Sequence, residues 1–197
     1  CASYLSDYNN SIFKMIVSDW KATGDYAGGI TGYNNGSITF SKASQKITVK
    51  SVSSIVAGEN YVGGIAGFND VSGTLDVNYT LIGGKIYAYG DCAGGGFGFN
   101  ASTEILTKEL TIKPTSVQGR YYVGGCIGAN VVNLSEDLTM EYFRADNRLG
   151  SIVGEVFCGG IIGYQRTYTA AQFGTGALLD EMDAQQSAIL PGIDGKT

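Results

Sequence analysis

Apolar and polar residues alternate in short runs with a period of two. Lys46-Ile47-Thr48-Val49-Lys50-Ser51-Val52 and Leu110-Thr111-Ile112-Lys113 are β-branched stretches of this kind, and they predict short strands. Polar breaks carrying glycine lie between such runs, and Asn34-Asn35-Gly36-Ser37, Val71-Ser72-Gly73 and Gly83-Gly84 are expected to be turns. One stretch departs from the pattern. Within 177–190, Leu179, Met182, Gln186 and Ile189 or Leu190 fall near helical spacing, acids occupy the first turn and Pro191-Gly192 follows, so a short C-terminal helix is expected.

Over this alternation runs a longer period. Tyr26 to Asn34 (YAGGITGYN), Tyr61 to Asn69 (YVGGIAGFN), Cys92 to Asn100 (CAGGGFGFN), Tyr122 to Asn130 (YVGGCIGAN) and Phe157 to Gln165 (FCGGIIGYQ) align as nine-residue copies whose starts are 35, 31, 30 and 35 residues apart. A repeat of this length marks a stacked, quasi-one-dimensional architecture. Glycine fills the third, fourth and seventh places of every copy: Gly28, Gly29 and Gly32; Gly63, Gly64 and Gly67; Gly94, Gly95 and Gly98; Gly124, Gly125 and Gly128; Gly159, Gly160 and Gly163. Asparagine closes four of them, as Asn34, Asn69, Asn100 and Asn130, with Gln165 in the last.

If each copy is a single extended strand, places two, six and eight share one face and places one and five the other. The glycines are then structural, letting a neighbouring layer approach the backbone. The asparagines suit a turn, and stacked amides from successive copies can bond as a ladder. One period becomes one coil, and the expected fold is all-β: a parallel β-helix or β-solenoid of about five to six coils with the short helix at its end. The expected divisions are a partial N-terminal coil over 1–25, the repeats over 26–165, and a cap or junction to a next domain over 166–197. An open solenoid end exposes strand edges, which gives such a cap its purpose.

The glycine-paired copies, above all YVGGIAGFN and YAGGITGYN followed by a short turn and an apolar residue (Leu75, Ile38), resemble the GLUG-type repeat of large bacterial cell-surface proteins. The resemblance spans about residues 26 to 165. It weakens where Cys92 and Gly96 replace an aromatic and an aliphatic residue and where Ala129 replaces an aromatic. It implies an extracellular, β-helix-like segment of adhesins and of some surface proteases, in which the repeat itself carries no catalytic residue.

Composition narrows the chemistry. Glycine numbers 30 of 197 residues and charged residues make up 16%, against typical shares of ~7% and ~25%. Histidine is absent, which excludes a Ser-His-Asp triad, a Cys-His dyad and a His-ligated zinc within this chain. The net charge of −5 comes without a basic cluster, so no nucleic-acid partner is expected. No apolar run approaches the ~18 residues of a membrane helix, so no transmembrane segment is expected. Cys1 at the start suits either an acylated lipoprotein terminus or a cut through a longer array, and the second is preferred.

The remaining candidates are weighed against plainer structural roles. Cys92, Cys126 and Cys158 fall at places one, five and two of their copies, so they are expected to be buried thiols rather than disulfides. Asp25, Glu59, Asp91 and Glu155 precede the copies as a row interrupted by Arg120, which suits a solvated turn better than a calcium site. Tyr33, Phe68, Phe99 and Tyr164 at place eight are expected in the core, leaving Tyr79, Tyr87, Tyr142 and Tyr168 as tyrosines for surface contact.

The expected function is a non-catalytic structural or adhesive segment, a stalk or adhesin at a bacterial surface, without metal or cofactor. Its partners would be a surface glycan or protein of host or bacterium and the neighbouring domains of a longer parent chain. Two alternatives stand beside it. One is a polysaccharide-active β-helix enzyme drawing on Asp70, Asp76, Asp91, Glu104 and Arg120. The other is a non-catalytic module of a larger surface protease or of a filament.

Overall fold

The computed structural model describes residues 20–21, 24–39, 47–49, 55–76, 80–103, 105–106, 111–133, 144–145 and 150–168. The helix expected over 177–190, and most of the divisions expected over 1–25 and 166–197, lie outside the described residues. Within them the chain is all-β, and every strand pairing is parallel. Strands distant in sequence stack beside one another in four sheets of seven, five, five and three strands. That is a β-solenoid: on successive passes the chain returns to the same sheets and pairs with its own earlier strands.

The two five-stranded sheets are the repeated motif itself. Tyr26–Gly28, Tyr61–Gly63, Cys92–Gly94, Tyr122–Gly124 and Phe157–Gly159 form one. Thr31–Asn34, Ala66–Asn69, Phe97–Asn100, Ile127–Asn133 and Ile162–Tyr168 form the other. Register is kept place for place, as in Tyr26↔Tyr61, Cys92↔Tyr61, Cys92↔Tyr122 and Tyr122↔Phe157. Ser37–Thr39, Thr74–Asp76 and Ile105–Leu106 make the small sheet. The seven-stranded sheet holds the inter-motif strands, chiefly Ile55–Gly58, Thr80–Ala88, Thr111–Gln118 and Ser151–Val153.

A copy of the motif is therefore two short strands separated by a bend at its fourth and fifth residues, and the single-strand face assignment is corrected. An extended strand would put places one and eight about 23 Å apart at ~3.3 Å per residue. The Tyr26 and Tyr33 ring centroids lie 5.4 Å apart instead, and those of Tyr61 and Phe68 5.5 Å. The second strand has folded back against the first. Places one and eight thus share one apolar cluster, containing Tyr61, Phe68, Cys92, Phe99 and Tyr122. Place two belongs to another, where Val62, Ala93 and Val123 meet Val56, Ile86 and Val117 of the seven-stranded sheet.

Bends leave backbone donors exposed to an apolar interior, and here the next coil satisfies them. The N–H groups of Ile30 and Thr31 both donate to the Ile65 carbonyl, those of Ile65 and Ala66 to Gly96, those of Gly96 and Phe97 to Cys126, and those of Cys126 and Ile127 to Ile161. Each fully buried Val or Phe of the two clusters contributes about 1.5–3 kcal/mol relative to exposure.

The turn expected at Gly83-Gly84 is corrected as well. Both glycines lie inside the nine-residue strand Thr80–Ala88. Gly84 pairs with Pro114 and Lys85 with Ser116, so Thr115 is an extra residue opposite no partner: a β-bulge. Gly84 has φ of 101°, a conformation in which a Cβ would be strained. Glycine inside a strand marks a bulge as readily as a turn, and local composition alone does not separate the two.

Candidate functional site

The motif glycines differ in what they touch. A Cβ on Gly28, Gly63, Gly94, Gly124 or Gly159 would overlap the carbonyl oxygen of place six in the same copy, that of Thr31, Ala66, Phe97, Ile127 or Ile162. At place seven, a Cβ on Gly67 would come within 2.6 Å of the Tyr61 carbonyl oxygen, and on Gly98 within 2.5 Å of the Val62 nitrogen. Glycines at these places permit the close apposition of the two motif sheets. At place four the surroundings vary: Gly95 faces the Gly125 carbonyl, whereas nothing stands within 4 Å of a Cβ on Gly160. Gly29, Gly64 and Gly125 occupy the same bend in their copies.

At place nine the side-chain amides of successive coils meet. Asn34 Nδ2 donates to Asn69 Oδ1 at 2.8 Å, Asn69 Nδ2 to Asn100 Oδ1 at 2.9 Å, Asn100 Nδ2 to Asn130 Oδ1 at 2.7 Å and Asn130 Nδ2 to Gln165 Oε1 at 2.8 Å. All four asparagines are buried. The ladder is continuous and uncharged, and each rung satisfies one donor and one acceptor in the interior.

Beside it the rings stack. Tyr33 and Phe68 lie 5.4 Å apart and Phe68 and Phe99 4.6 Å apart, nearly parallel, while Tyr26 stacks on Tyr61 and Tyr122 on Phe157. Phe68 and Phe99 are fully buried, Tyr164 is half-buried, and Tyr33 at the end of the stack is exposed. The Tyr33 hydroxyl donates to Asp70 Oδ2. That bond, then burial, pushes the phenol up to about 12.

The charged row before the motif occupies a solvent-facing corner. Asp25, Glu59 and Glu155 are exposed and Asp91 half-buried. Asn60 donates to Asp25 Oδ1 at 2.9 Å, Arg120 pairs with Glu155 at 3.5 Å, and the Arg120 guanidinium lies 5.0 Å from the Tyr121 ring centroid. No group of three His, Cys, Asp or Glu residues arranged to hold a metal occurs among the described residues. The carboxylates considered for polysaccharide chemistry are dispersed. Asp70 precedes the small-sheet strand Thr74–Asp76 and Asp76 ends it, Asp91 and Arg120 stand at the charged corner, and Glu104 lies outside the described residues. Among the described residues no helix is long and apolar enough to cross a membrane.

Cys92, Cys126 and Cys158 are thiols, not disulfides. Burial pushes Cys126 up to about 12, which removes it from thiolate chemistry at neutral pH. Cys158 is exposed, contrary to the burial expected of it. It stands in Phe157–Gly159, the outermost strand of its sheet, where no further described coil covers it.

One concavity lies on the outer face of the seven-stranded sheet, with a volume of about 590 Å³. Register lays its lining out in two rows along the solenoid axis. One is Ile55, Lys85, Ser116 and Ser151; the other is Ala57, Tyr87 and Gln118. Residues between the rows, Val56, Ile86 and Val117, point the other way into the core. Ala57 beside Tyr87 leaves a step from small to large, and Tyr89 closes the end with its ring edge-on to Tyr87 at 4.8 Å. Tyr87 is 38% and Tyr89 53% exposed. Thr115, the bulged residue, also lines the groove, and its buried Oγ1 has no hydrogen-bond partner. Sequence reasoning identified Tyr87 as a surface tyrosine but missed Tyr89 and Thr115. The alternation Lys85, Tyr87, Tyr89 is the signal the sequence carries, and the glycine pair before it, which fits a turn equally well, obscures it.

No family model, curated protein or solved structure matches the chain.

Proposed function

We propose that the chain is a non-catalytic structural and adhesive repeat segment of the GLUG type, part of a stalk or adhesin displayed outside a bacterial cell and continuous with other domains of a longer parent protein. The observation that carries the reading is the place-for-place stacking of the five motif copies, with one amide ladder and one aromatic cluster running through them. Such a body lengthens by ~4.8 Å per coil and presents long lateral faces, the geometry of a spacer that also makes contacts. Five to six coils would span roughly 25–30 Å, and a helix over 177–190 would serve as a cap or junction. Dispersal of the candidate carboxylates over separate corners, with Arg120 engaged by Glu155, favours contact over catalysis.

The test is display. Antibodies raised against the purified segment should label intact cells of the source organism, and protease added outside should remove the signal. Labelling that needs cell lysis would overturn the reading.

A further inference from the structure

The groove on the seven-stranded sheet has features that a rod does not need. From it we infer that the chain carries a saccharide-binding site, formed by Tyr87, Tyr89, Lys85, Gln118 and Thr115, that takes a neutral oligosaccharide lying across the strands. This rests on the adhesive half of the function proposed above and gives it a ligand class and a location.

Three observations converge. The first is the tyrosine pair, two large rings held edge to face and left exposed, while the equivalent row position in the preceding strand is Ala57. A pyranose ring has an apolar C–H face and a hydroxylated rim, so it packs its face on an aromatic ring and turns its rim toward donors and acceptors. The second is the polar complement. Gln118 sits beside Tyr87 and Ser116 beside Lys85, while Ser151 Oγ already donates to Ser116 Oγ at 3.2 Å. These are neutral groups able both to donate and to accept, as sugar hydroxyls require.

The third is the bulge. An extra residue in a strand re-aims a side chain, and here it is Thr115. Its hydroxyl is left without a partner at the groove wall, although buried hydroxyls are normally bonded. A ligand hydroxyl at that wall would supply the missing partner. Lys85 is the one charged residue in the lining. Beyond the Tyr89 ring lies the corner that carries Glu59 and Asp91, and the whole chain has a net charge of −5. Those carboxylates outnumber the single Lys85 ammonium around the groove, so an acidic sugar gains no net attraction, and the neutral donor–acceptor lining favours a neutral chain.

The four strands under the groove span about 14 Å at ~4.8 Å each, room for a short oligosaccharide rather than one ring. A neutral glucan and a neutral host-type glycan share this chemistry, and the assay separates them.

The experiment is titration calorimetry of the purified chain with cellotetraose, with lacto-N-tetraose as the host-type arm and with polygalacturonate oligomers and sialyllactose as acidic arms. Binding to at least one neutral arm, at least tenfold tighter than to the acidic arms, is expected. Tyr89→Ala should weaken it at least tenfold with an unchanged thermal midpoint. Thr115→Val should weaken it about fivefold, and Thr115→Ser should restore it. If Tyr87→Ala does not fold, Tyr89→Ala still decides, because its side chain is the more exposed. Absence of binding to both neutral arms at millimolar concentration overturns the site, as does neutral binding that Tyr89→Ala and Thr115→Val leave unchanged. Neither result bears on surface display, which the antibody labelling measures separately.

Discussion

At the scale of single residues, the motif glycines share an identity but not a role. Gly94 has the carbonyl of Phe97 where a Cβ would go, and Gly160 has open space. Relief of the first clash requires the backbone of two strands to move, a disturbance of the size of core overpacking. Gly94→Ala is therefore expected to cost about 3 kcal/mol or more, and Gly160→Ala to stay within about 0.5 kcal/mol of the parent. Urea denaturation of both variants checks this, and similar midpoints would remove the packing role from the third glycine. The amide ladder makes a parallel case. Asn100→Ala strands the Asn69 donor and the Asn130 acceptor, both buried, at about 1–3 kcal/mol for each orphaned group. Gln165→Ala orphans a single donor, Asn130 Nδ2, at a rung open to water on the Gln165 side, and should cost about 1 kcal/mol, so the two variants should separate in the same titration.

At the scale of elements, the sequence makes strand content and stacking legible because each copy repeats the same chemistry in the same places. It conceals the fold-back within a copy, since alternation of Tyr61, Ile65 and Phe68 is as compatible with one long strand as with two short ones. Only the ring contacts between places one and eight separate the two. The glycine pair at 83–84 was ambiguous for a related reason: it signals a departure from regular geometry without saying whether the chain turns or bulges. In the structure a bulge stands opposite it, and that irregularity sets Ser116 and Gln118 on the outer face beside Lys85 and Tyr87. Gly84 at φ of 101° is the hinge of this arrangement. Gly84→Ala should cost about 1–2 kcal/mol from the left-handed backbone alone, and should also blunt the groove. A variant as stable as the parent in thermal unfolding would show that the bulge relaxes without cost.

At the scale of the whole molecule, the fold has few contacts that skip a layer, because each motif strand bonds to the copy before and the copy after. Stability in such a stack is a sum of layer and interface terms rather than one global quantity. The central copies are the best covered: Cys92, Ala93, Phe97, Phe99, Val123 and Ile127 are fully buried, whereas Tyr26 is exposed and Phe157 half-buried. Amide exchange should accordingly be slowest in Cys92–Gly94 and Tyr122–Gly124 and faster toward Tyr26–Gly28 and Phe157–Gly159. The sharper consequence concerns how damage spreads. Gly94→Ala should accelerate exchange in its own strand and in the adjoining Tyr61–Gly63 and Tyr122–Gly124 strands by about a hundredfold or more, following a loss of about 3 kcal/mol, and should change the two outer strands much less. An equal acceleration in all five strands would mean that the solenoid opens as one cooperative body. The spacing of the motif copies would then record a shared geometry without the nearest-neighbour energetics attributed to it here.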